Sequence, residues 1–147
     1  MRGVPIEALK RVPLFADLNK RELQDVARLF KERRFESGET IIKEGSGGAA
    51  FFVIESGEAK VFVGGKERST LGPGAFFGEI ALIDQGTRMA TIAAAADLVC
   101  YGVTYWDFRS LVEKNGVIGW KLLERMAKML RENREGANAA QVSAGKK

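Results

Sequence analysis

The segment Leu71–Thr91 reads Leu-Gly-Pro-Gly-Ala-Phe-Phe-Gly-Glu-Ile-Ala-Leu-Ile-Asp-Gln-Gly-Thr-Arg-Met-Ala-Thr. It places Glu79 nine residues before Arg88, in surroundings that are mostly small or apolar. A glycine-punctuated turn leads into residues 78–82, which we predict to form a short helical turn. Free backbone N–H groups at a helix start bind anions, and an arginine can hold two phosphate oxygens at once. Because Glu79 can also accept hydrogen bonds from hydroxyl groups, the segment predicts a pocket for a sugar phosphate.

Helical patterns lie on both sides of the middle of the chain. Residues from about 6 to 30 are predicted to be helical, with a break at Pro13. Near the other end, we predict one helix over Tyr105–Lys114 and a longer one from Val117 to about Glu135. The remaining residues, 136–147, lack an apolar pattern and are predicted to form a disordered tail.

Between about residues 34 and 103 the pattern changes to short β-type runs separated by glycine. These runs are Phe35–Lys43, Ala50–Glu55, Ala59–Val63, Arg68–Leu71, Thr91–Ala95 and Asp97–Val103. Two of the intervening dipeptides, Ser56-Gly57 and Gly64-Gly65, are typical of two-residue hairpin loops. Short strands at such close spacing predict an antiparallel barrel or a jelly-roll-like sandwich.

Composition narrows the classes of function. The chain has 147 residues, of which 46% are hydrophobic, and this suffices for one globular domain. We find no apolar run long enough to span a membrane and no signal-peptide pattern. The single cysteine, Cys100, excludes an intrachain disulfide and fits a reducing cytoplasm. Because histidine is absent, histidine-ligated zinc, histidine-held haem and histidine-based catalytic triads are excluded. The net charge of +4 is spread along the chain and gives little support to nucleic-acid binding.

The opening segment closely resembles the phosphate-binding cassette of cyclic nucleotide-binding domains. The pattern of that cassette runs Phe-Gly-Glu-Leu/Ile-Ala-Leu, a short loop, and then Pro-Arg-small-Ala-Thr. The resemblance extends over roughly Val12–Arg134 and includes Leu14–Leu18, Gly38–Gly45 and Phe52–Gly57. It implies a mainly β fold with flanking α-helices: an eight-stranded antiparallel, jelly-roll-like β-roll with N-terminal helices and C-terminal lid helices, which together make residues 1–135 one cyclic nucleotide-binding domain.

The resemblance also assigns roles to individual residues. It implies that Glu79 accepts a hydrogen bond from the ribose 2′-hydroxyl and that Arg88 pairs with the cyclic phosphate. The backbone of Gly78, Ile80 and Ala81 is expected to face the same ligand. Gly78 has a physical reason of its own, because a side chain there would obstruct a close approach of the backbone.

Two residues depart from the family pattern. Thr87 stands where proline usually precedes the arginine, so the loop loses a fixed φ angle, which is worth about 1 kcal/mol of pre-organisation. Met89 stands where alanine, serine or threonine is usual, and a thioether cannot donate the hydrogen bond that threonine offers to phosphate or guanine. This favours cAMP over cGMP as the ligand, although it fits a weakened or retuned pocket equally well. Ala90, the next residue, completes the predicted ligand-binding set.

The last helix carries the candidates for capping the base. Asn133 could pair with the adenine edge, because its amide is both a donor and an acceptor, and Arg134 could stack on the purine. Solvated residues at a helix end are the alternative interpretation of both. The apolar stripes of the same helix could pack against a second subunit, as in the dimeric regulators of the family, so a homodimer through this helix is a further expectation.

We therefore predict a cytoplasmic cyclic nucleotide sensor that is not an enzyme, binds cAMP, with cGMP as the second candidate, and uses no cofactor or metal. Ligand binding is expected to move the last helix. Only residues 136–147 follow that helix, so no DNA-binding domain is expected, and the downstream effector is not encoded. One alternative is an excised sensor of a cyclic nucleotide-gated channel or kinase, since Leu71–Glu79 looks much like bacterial channel sensors. The other is an interaction protein that retains the roll without the ligand.

Overall fold

The computed structural model describes residues 3–45, 50–84, 86 and 88–145, with side chains as far as residue 134. In these ranges, eight antiparallel strands form two four-stranded sheets. The strands are β1 (Lys31–Phe35), β2 (Thr40–Ile42), β3 (Ala50–Ser56), β4 (Ala59–Val63), β5 (Lys66–Leu71), β6 (Phe76–Phe77), β7 (Thr91–Ala94) and β8 (Leu98–Thr104). The strand order is β1-β8-β3-β6 in one sheet and β2-β7-β4-β5 in the other. This architecture confirms the predicted β-roll with flanking helices.

The helices lie before, within and after the roll. They are α1 (Ile6–Lys10), a 3-10 helix at Pro13–Phe15, α2 (Lys20–Ala27), α3 (Ala81–Asp84), α4 (Tyr105–Lys114) and α5 (Gly116–Gly145). The structure differs from the sequence prediction at the C-terminal end, where α5 continues past Glu135 through residues predicted to be disordered. Alanine, the residue with the highest helix propensity, recurs through residues 137–144 and favours this continuation. In the described ranges, none of the helices combines the length and the hydropathy needed to cross a membrane.

The predicted run Phe35–Lys43 is in fact two strands in different sheets. Strand β1 ends at Phe35 and pairs with β8, whereas β2 begins at Thr40 and pairs with β7. Gly38, with a φ of +92°, lies between them and allows the chain to turn from one sheet to the other. Strand β6 was not predicted, because two residues are too few for an alternating pattern.

The two hairpin signals have different outcomes. Gly64-Gly65 joins β4 to β5, with Val63 opposite Lys66, so this hairpin is confirmed. Ser56-Gly57 does not form a hairpin, because β3 pairs with β6 and β8 whereas β4 pairs with β5 and β7. That prediction is wrong: the turn carries the chain between the sheets. A Cβ at Gly57 would lie 2.3 Å from the carbonyl oxygen of Asp97, so the turn packs closely on the loop before β8.

Strand β3 divides the hydrophobic core into two clusters, because successive side chains of a strand point to opposite faces. Phe51 packs edge-on against Phe15 and Phe30, with ring centroids 6.0 and 5.8 Å away, in a cluster formed with the helices. Phe52 stacks on Phe77 at 5.3 Å inside the roll. We call these the helical cluster and the roll cluster. The first residue of the same strand contributes to the site described next.

Candidate functional site

One cavity of about 500 Å³ opens beside α3 and the loop that follows it. The lining residues are Ile42, Gly78, Glu79, Ile80, Ala81, Asp84, Gly86, Arg88, Met89, Ala90 and Ile92. All seven ligand-binding residues predicted from the sequence are in this set. The structure therefore brings Glu79 and Arg88 to the walls of a single cavity.

Arg88 is half-buried and only partly satisfied. Its Nη2 donates a hydrogen bond to the carbonyl oxygen of Ala50, the first residue of β3, at 2.7 Å. Its Nε is buried and has no hydrogen-bond partner among the described residues. Burial lowers the pKa of the guanidinium, because the charged form loses solvation. Arginine nevertheless remains protonated at neutral pH. A cation with unused donors, fixed in a cavity wall, is suited to bind an anion.

Gly78 leaves the space that this arginine occupies. It follows β6 and has a φ of +88°, a conformation that favours glycine. A Cβ at this position would lie 2.7 Å from the carbonyl oxygen of Ala50 and 2.8 Å from Nη1 of Arg88. Any side chain at residue 78 would therefore collide with both partners of the Arg88–Ala50 hydrogen bond.

The helical turn begins later than the sequence predicted. Helix α3 starts at Ala81, and the positive φ of Gly78 excludes that residue from a right-handed helix. The N–H of Ala81 donates to the carbonyl oxygen of Gly78 at 3.1 Å, and the N–H of Leu82 donates to the backbone carbonyl oxygen of Glu79 at 3.1 Å. The first turn thus already uses the N–H of Ala81, and Glu79 and Ile80 lie just before the helix.

Four lining residues were not found from the sequence. Asp84 and Gly86 belong to one tight turn, in which Oδ1 of Asp84 accepts a hydrogen bond from the Gly86 N–H at 2.9 Å. An aspartate two residues before a glycine is a recognisable signal for such a turn. Ile42 and Ile92 are buried neighbours paired across β2 and β7. They had no local signal, because only sheet pairing brings them to the cassette.

Of the two residues that depart from the family pattern, the structure describes Met89 but not Thr87. Met89 lines the cavity and is 83% exposed, so its thioether is free of core packing. Thr87 lies outside the described residues, and its effect on the loop stays a prediction. In the described part of the chain, no group of three acidic or cysteine side chains is placed to hold a metal ion.

The candidate base-capping residues are not at the cavity. Asn133 and Arg134 are exposed on α5, whereas the cavity is lined only by residues between 42 and 92. The helix is instead fixed to the N-terminal part of the chain. Lys121 Nζ lies 2.6 Å from Oε1 of Glu22, and Arg125 binds both carboxylate oxygens of Asp17. The structure thus does not bring the base-capping candidates together with the cassette.

An apolar groove of about 450 Å³ lies behind the cassette. It is lined by Leu82 and Ile83 of α3, by Phe108 and other residues of α4, and by Leu122 and Met126 of α5, among others. Leu82 and Phe108 also belong to the helical cluster. The cassette and the last helix therefore face one common groove, although the cavity and α5 do not meet.

The fold and the site define a class of protein, namely a ligand-binding β-roll whose pocket combines a fixed arginine with a glutamate. Comparison with known families agrees, because residues 32–115 match the cyclic nucleotide-binding domain. The chain belongs to the cyclic nucleotide-binding domain family.

The relatives of this chain include proteins named for cAMP and proteins named for cGMP. The chain is 32% identical over 129 residues to the cyclic AMP receptor protein of Thermus thermophilus, covering 84% of this chain and 60% of that protein. It is 36% identical over 107 residues to the cGMP-dependent protein kinase of Plasmodium berghei, covering 73% of this chain and 12% of that protein. The chain thus spans less than two thirds of either relative. Among solved structures, it is similar to the N-terminal domain of a transcriptional regulator from Streptomyces coelicolor A3(2), with a TM-score of 0.78, 26% identity, and coverage of 87% of this chain and 95% of that one.

Proposed function

We propose that this chain is a regulatory module that senses cAMP and has no chemistry of its own. The observation that carries the proposal is the state of Arg88, which is held at 2.7 Å by the Ala50 carbonyl while its buried Nε has no partner among the described residues. An anion that enters the cavity would pair with the positive charge that Arg88 brings to the cavity wall. Such a pre-positioned cation avoids the cost of ordering a long side chain on binding.

The remaining cavity residues fit the other parts of a cyclic nucleotide. Glu79 would accept the hydrogen bond of the ribose 2′-hydroxyl, next to the phosphate on Arg88. The backbone of Gly78, Ile80 and Ala81 would approach the same sugar phosphate. Met89 and Ala90 would lie beside it, and Ile42 and Ile92 add apolar surface to the site.

The choice of cAMP over cGMP rests on Met89. Its side chain has no hydroxyl group to donate to a guanine or a phosphate oxygen. Relatives named for either nucleotide have similar sequences, so cGMP is the second candidate.

Calorimetric titration with both nucleotides tests the function. In Arg88→Ala, the loss of the phosphate partner is expected to cost about 2–5 kcal/mol, or tens- to thousands-fold in affinity. Arg34→Ala is the matched control, because Arg34 is an exposed arginine paired with Glu32 and does not line the cavity. Equal affinity of the Arg88→Ala variant and wild type would refute the assignment. Absence of binding by wild type at millimolar nucleotide would favour an interaction protein that keeps only the roll.

The proposal includes movement of α5. In the position that α5 has in this structure, here called the docked position, Asn133 and Arg134 do not line the cavity. A ligand whose base they cap would favour a second position of the helix. A ligand shifts such an equilibrium only by its differential affinity for the two states. Leu82 and Ile83 of the cassette and Met126 of α5 line the same apolar groove, so a change at the cassette would alter the surface against which α5 lies.

The same helix offers a surface to a second copy of the chain. Trp120, Leu123, Ala127 and Leu130 follow the three–four spacing of a coiled-coil seam, and Trp120 is 65% exposed. We include a homodimer through this face, and a cytoplasmic location, in the proposal. Light scattering measures the oligomeric state, and Leu123→Glu is expected to yield a monomer. A sensor excised from a channel or kinase remains compatible with all of these properties.

A further inference from the structure

An ion-pair cluster fixes α5 to the N-terminal part of the chain. We define it as Asp17, Glu22, Lys121, Arg125 and Lys128. Arg125 Nε lies 3.2 Å from Oδ2 of Asp17, and Lys128 Nζ lies 3.7 Å from the same oxygen. The three basic residues are four and three positions apart, so they share one face of the helix. A helix that leaves this position must therefore break all three interactions.

Glu22 is the most buried member of the cluster. It is 7% exposed and is the one buried charged residue among those described. Its Oε1 accepts hydrogen bonds from Lys121 Nζ at 2.6 Å and from the Asn19 N–H at 2.8 Å. The second bond belongs to the capping box of α2, which glutamine can also complete. The charge of Glu22 thus serves the contact with α5, whereas its acceptor oxygen serves the cap.

We propose that Asp17 and Glu22 set the affinity of the nucleotide site, although neither residue lines it. They do so by stabilising the docked position of α5, in which Asn133 and Arg134 are away from the cavity. The apparent affinity for a ligand equals the intrinsic affinity multiplied by the fraction of molecules in the competent state. Weakening the cluster therefore raises the affinity. The inference rests on the proposed function, because it requires a ligand that favours the undocked helix.

The sign of this effect distinguishes it from ordinary damage to the fold. A substitution that merely destabilises the domain leaves affinity unchanged or lowers it. Removing the charges of the cluster is expected to lower stability and to tighten binding at the same time.

The test uses the double variant Asp17→Asn/Glu22→Gln, which removes both charges while it keeps the side-chain shapes and the capping acceptor. Asp25→Asn is the matched control, because Asp25 forms its ion pair with Arg28 within the same N-terminal segment, at 2.6 Å, whereas the ion pairs of the described part of α5 with this segment go to Asp17 and Glu22. Calorimetry with cAMP at low salt is expected to give a dissociation constant about three- to tenfold lower than wild type for the double variant, and no change for the control. High salt should reduce the difference in dissociation constant between wild type and the double variant, because it screens the ion pairs of the wild type.

Hydrogen exchange supplies a second measurement without ligand. The amides of residues 121–130 are expected to exchange faster in the double variant than in the control. Should the double variant fail to fold by circular dichroism, Asp17→Asn alone removes the pairs with Arg125 and Lys128 and leaves Glu22 and its cap intact.

The outcomes separate the two proposals. Equal or weaker cAMP binding by a folded variant, with wild type binding normally, overturns the role of the cluster. Unchanged amide exchange in α5 overturns it as well. Failure of wild type to bind either nucleotide overturns the proposed function, and the affinity role of the cluster with it.

Discussion

Replacing Gly78 by alanine tests how the cassette holds its arginine. The new Cβ would lie 2.7 Å from the carbonyl oxygen of Ala50 and 2.8 Å from Nη1 of Arg88, both closer than van der Waals contact allows. Because Ala50 is backbone in a paired strand, the guanidinium is the group that must move. We therefore expect the variant to lose both stability and affinity.

The magnitude follows from two separable contributions. Gly78 has a φ of +88°, and a non-glycine residue in that region costs about 1–2 kcal/mol. Forcing extra atoms into packed surroundings adds about 1–3 kcal/mol. The free energy of unfolding should therefore fall by about 2–5 kcal/mol in total. A hydrogen bond to a charged group is worth about 1.5–3 kcal/mol, so displacing Arg88 should weaken cAMP binding by about 10- to 100-fold.

The chain contains a matched control for this variant. Gly74 has a φ of +86°, but the nearest atom to a Cβ there is Nη2 of Arg11, at 3.8 Å. Gly74→Ala should therefore show only the backbone contribution, about 1–2 kcal/mol of stability, with unchanged affinity. Urea unfolding and calorimetry measure both quantities. If Gly78→Ala matches Gly74→Ala in stability and in affinity, the crowding argument is wrong.

Three further outcomes are expected. Burial raises the pKa of the Cys100 thiol to about 11, so iodoacetamide should modify it slowly at pH 8 in the native state and rapidly in guanidinium; equal rates would contradict this. Burial raises the pKa of Glu22, but the hydrogen bonds from Lys121 and from the Asn19 N–H together lower it by more than burial raises it. The net pKa therefore lies below its ordinary value. This carboxylate therefore adds stability above the ordinary glutamate pKa of about 4.3 that is lost as the pH falls through the lowered value, and Glu22→Gln should lose less stability on acidification than wild type. An equal loss of unfolding free energy on acidification in Glu22→Gln and wild type would argue against the contribution. Met89→Thr should raise cGMP affinity relative to cAMP, and calorimetry that returns the same ratio for both proteins would remove Met89 from the selectivity argument.

The local sequence was sufficient to predict the cavity residues that belong to the cassette, but not those that other strands contribute. Glu79 and Arg88 were predictable because they lie in one continuous segment whose own turns shape the cavity. Ile42 comes from a strand 36 residues before Gly78, and only the pairing of β2 with β7 places it there. The Ser56-Gly57 prediction failed for the same reason, because a two-residue turn signal does not specify to which sheet the next strand belongs.

The position of α5 shows the same limit at longer range. Its apolar and basic stripes were visible in the sequence, and the resemblance placed its end over the ligand. The partners that fix it in this structure, Asp17 and Glu22, lie 108 and 99 residues from Arg125 and Lys121. The position of α5 therefore involves charges that are distant in the sequence, which no pattern within the helix contains.

The division of the core by β3 has a practical consequence for protein engineering. The carbonyl that holds Arg88 belongs to Ala50, and the next side chain along the strand, Phe51, lies among the N-terminal helices. One peptide unit thus joins the binding pocket to the helical layer covalently. A chimeric biosensor that grafts this roll onto a new output domain should keep Ala50 and Phe51 together with Phe15 and Phe30, because a junction between them would remove this link between the pocket and the helical cluster.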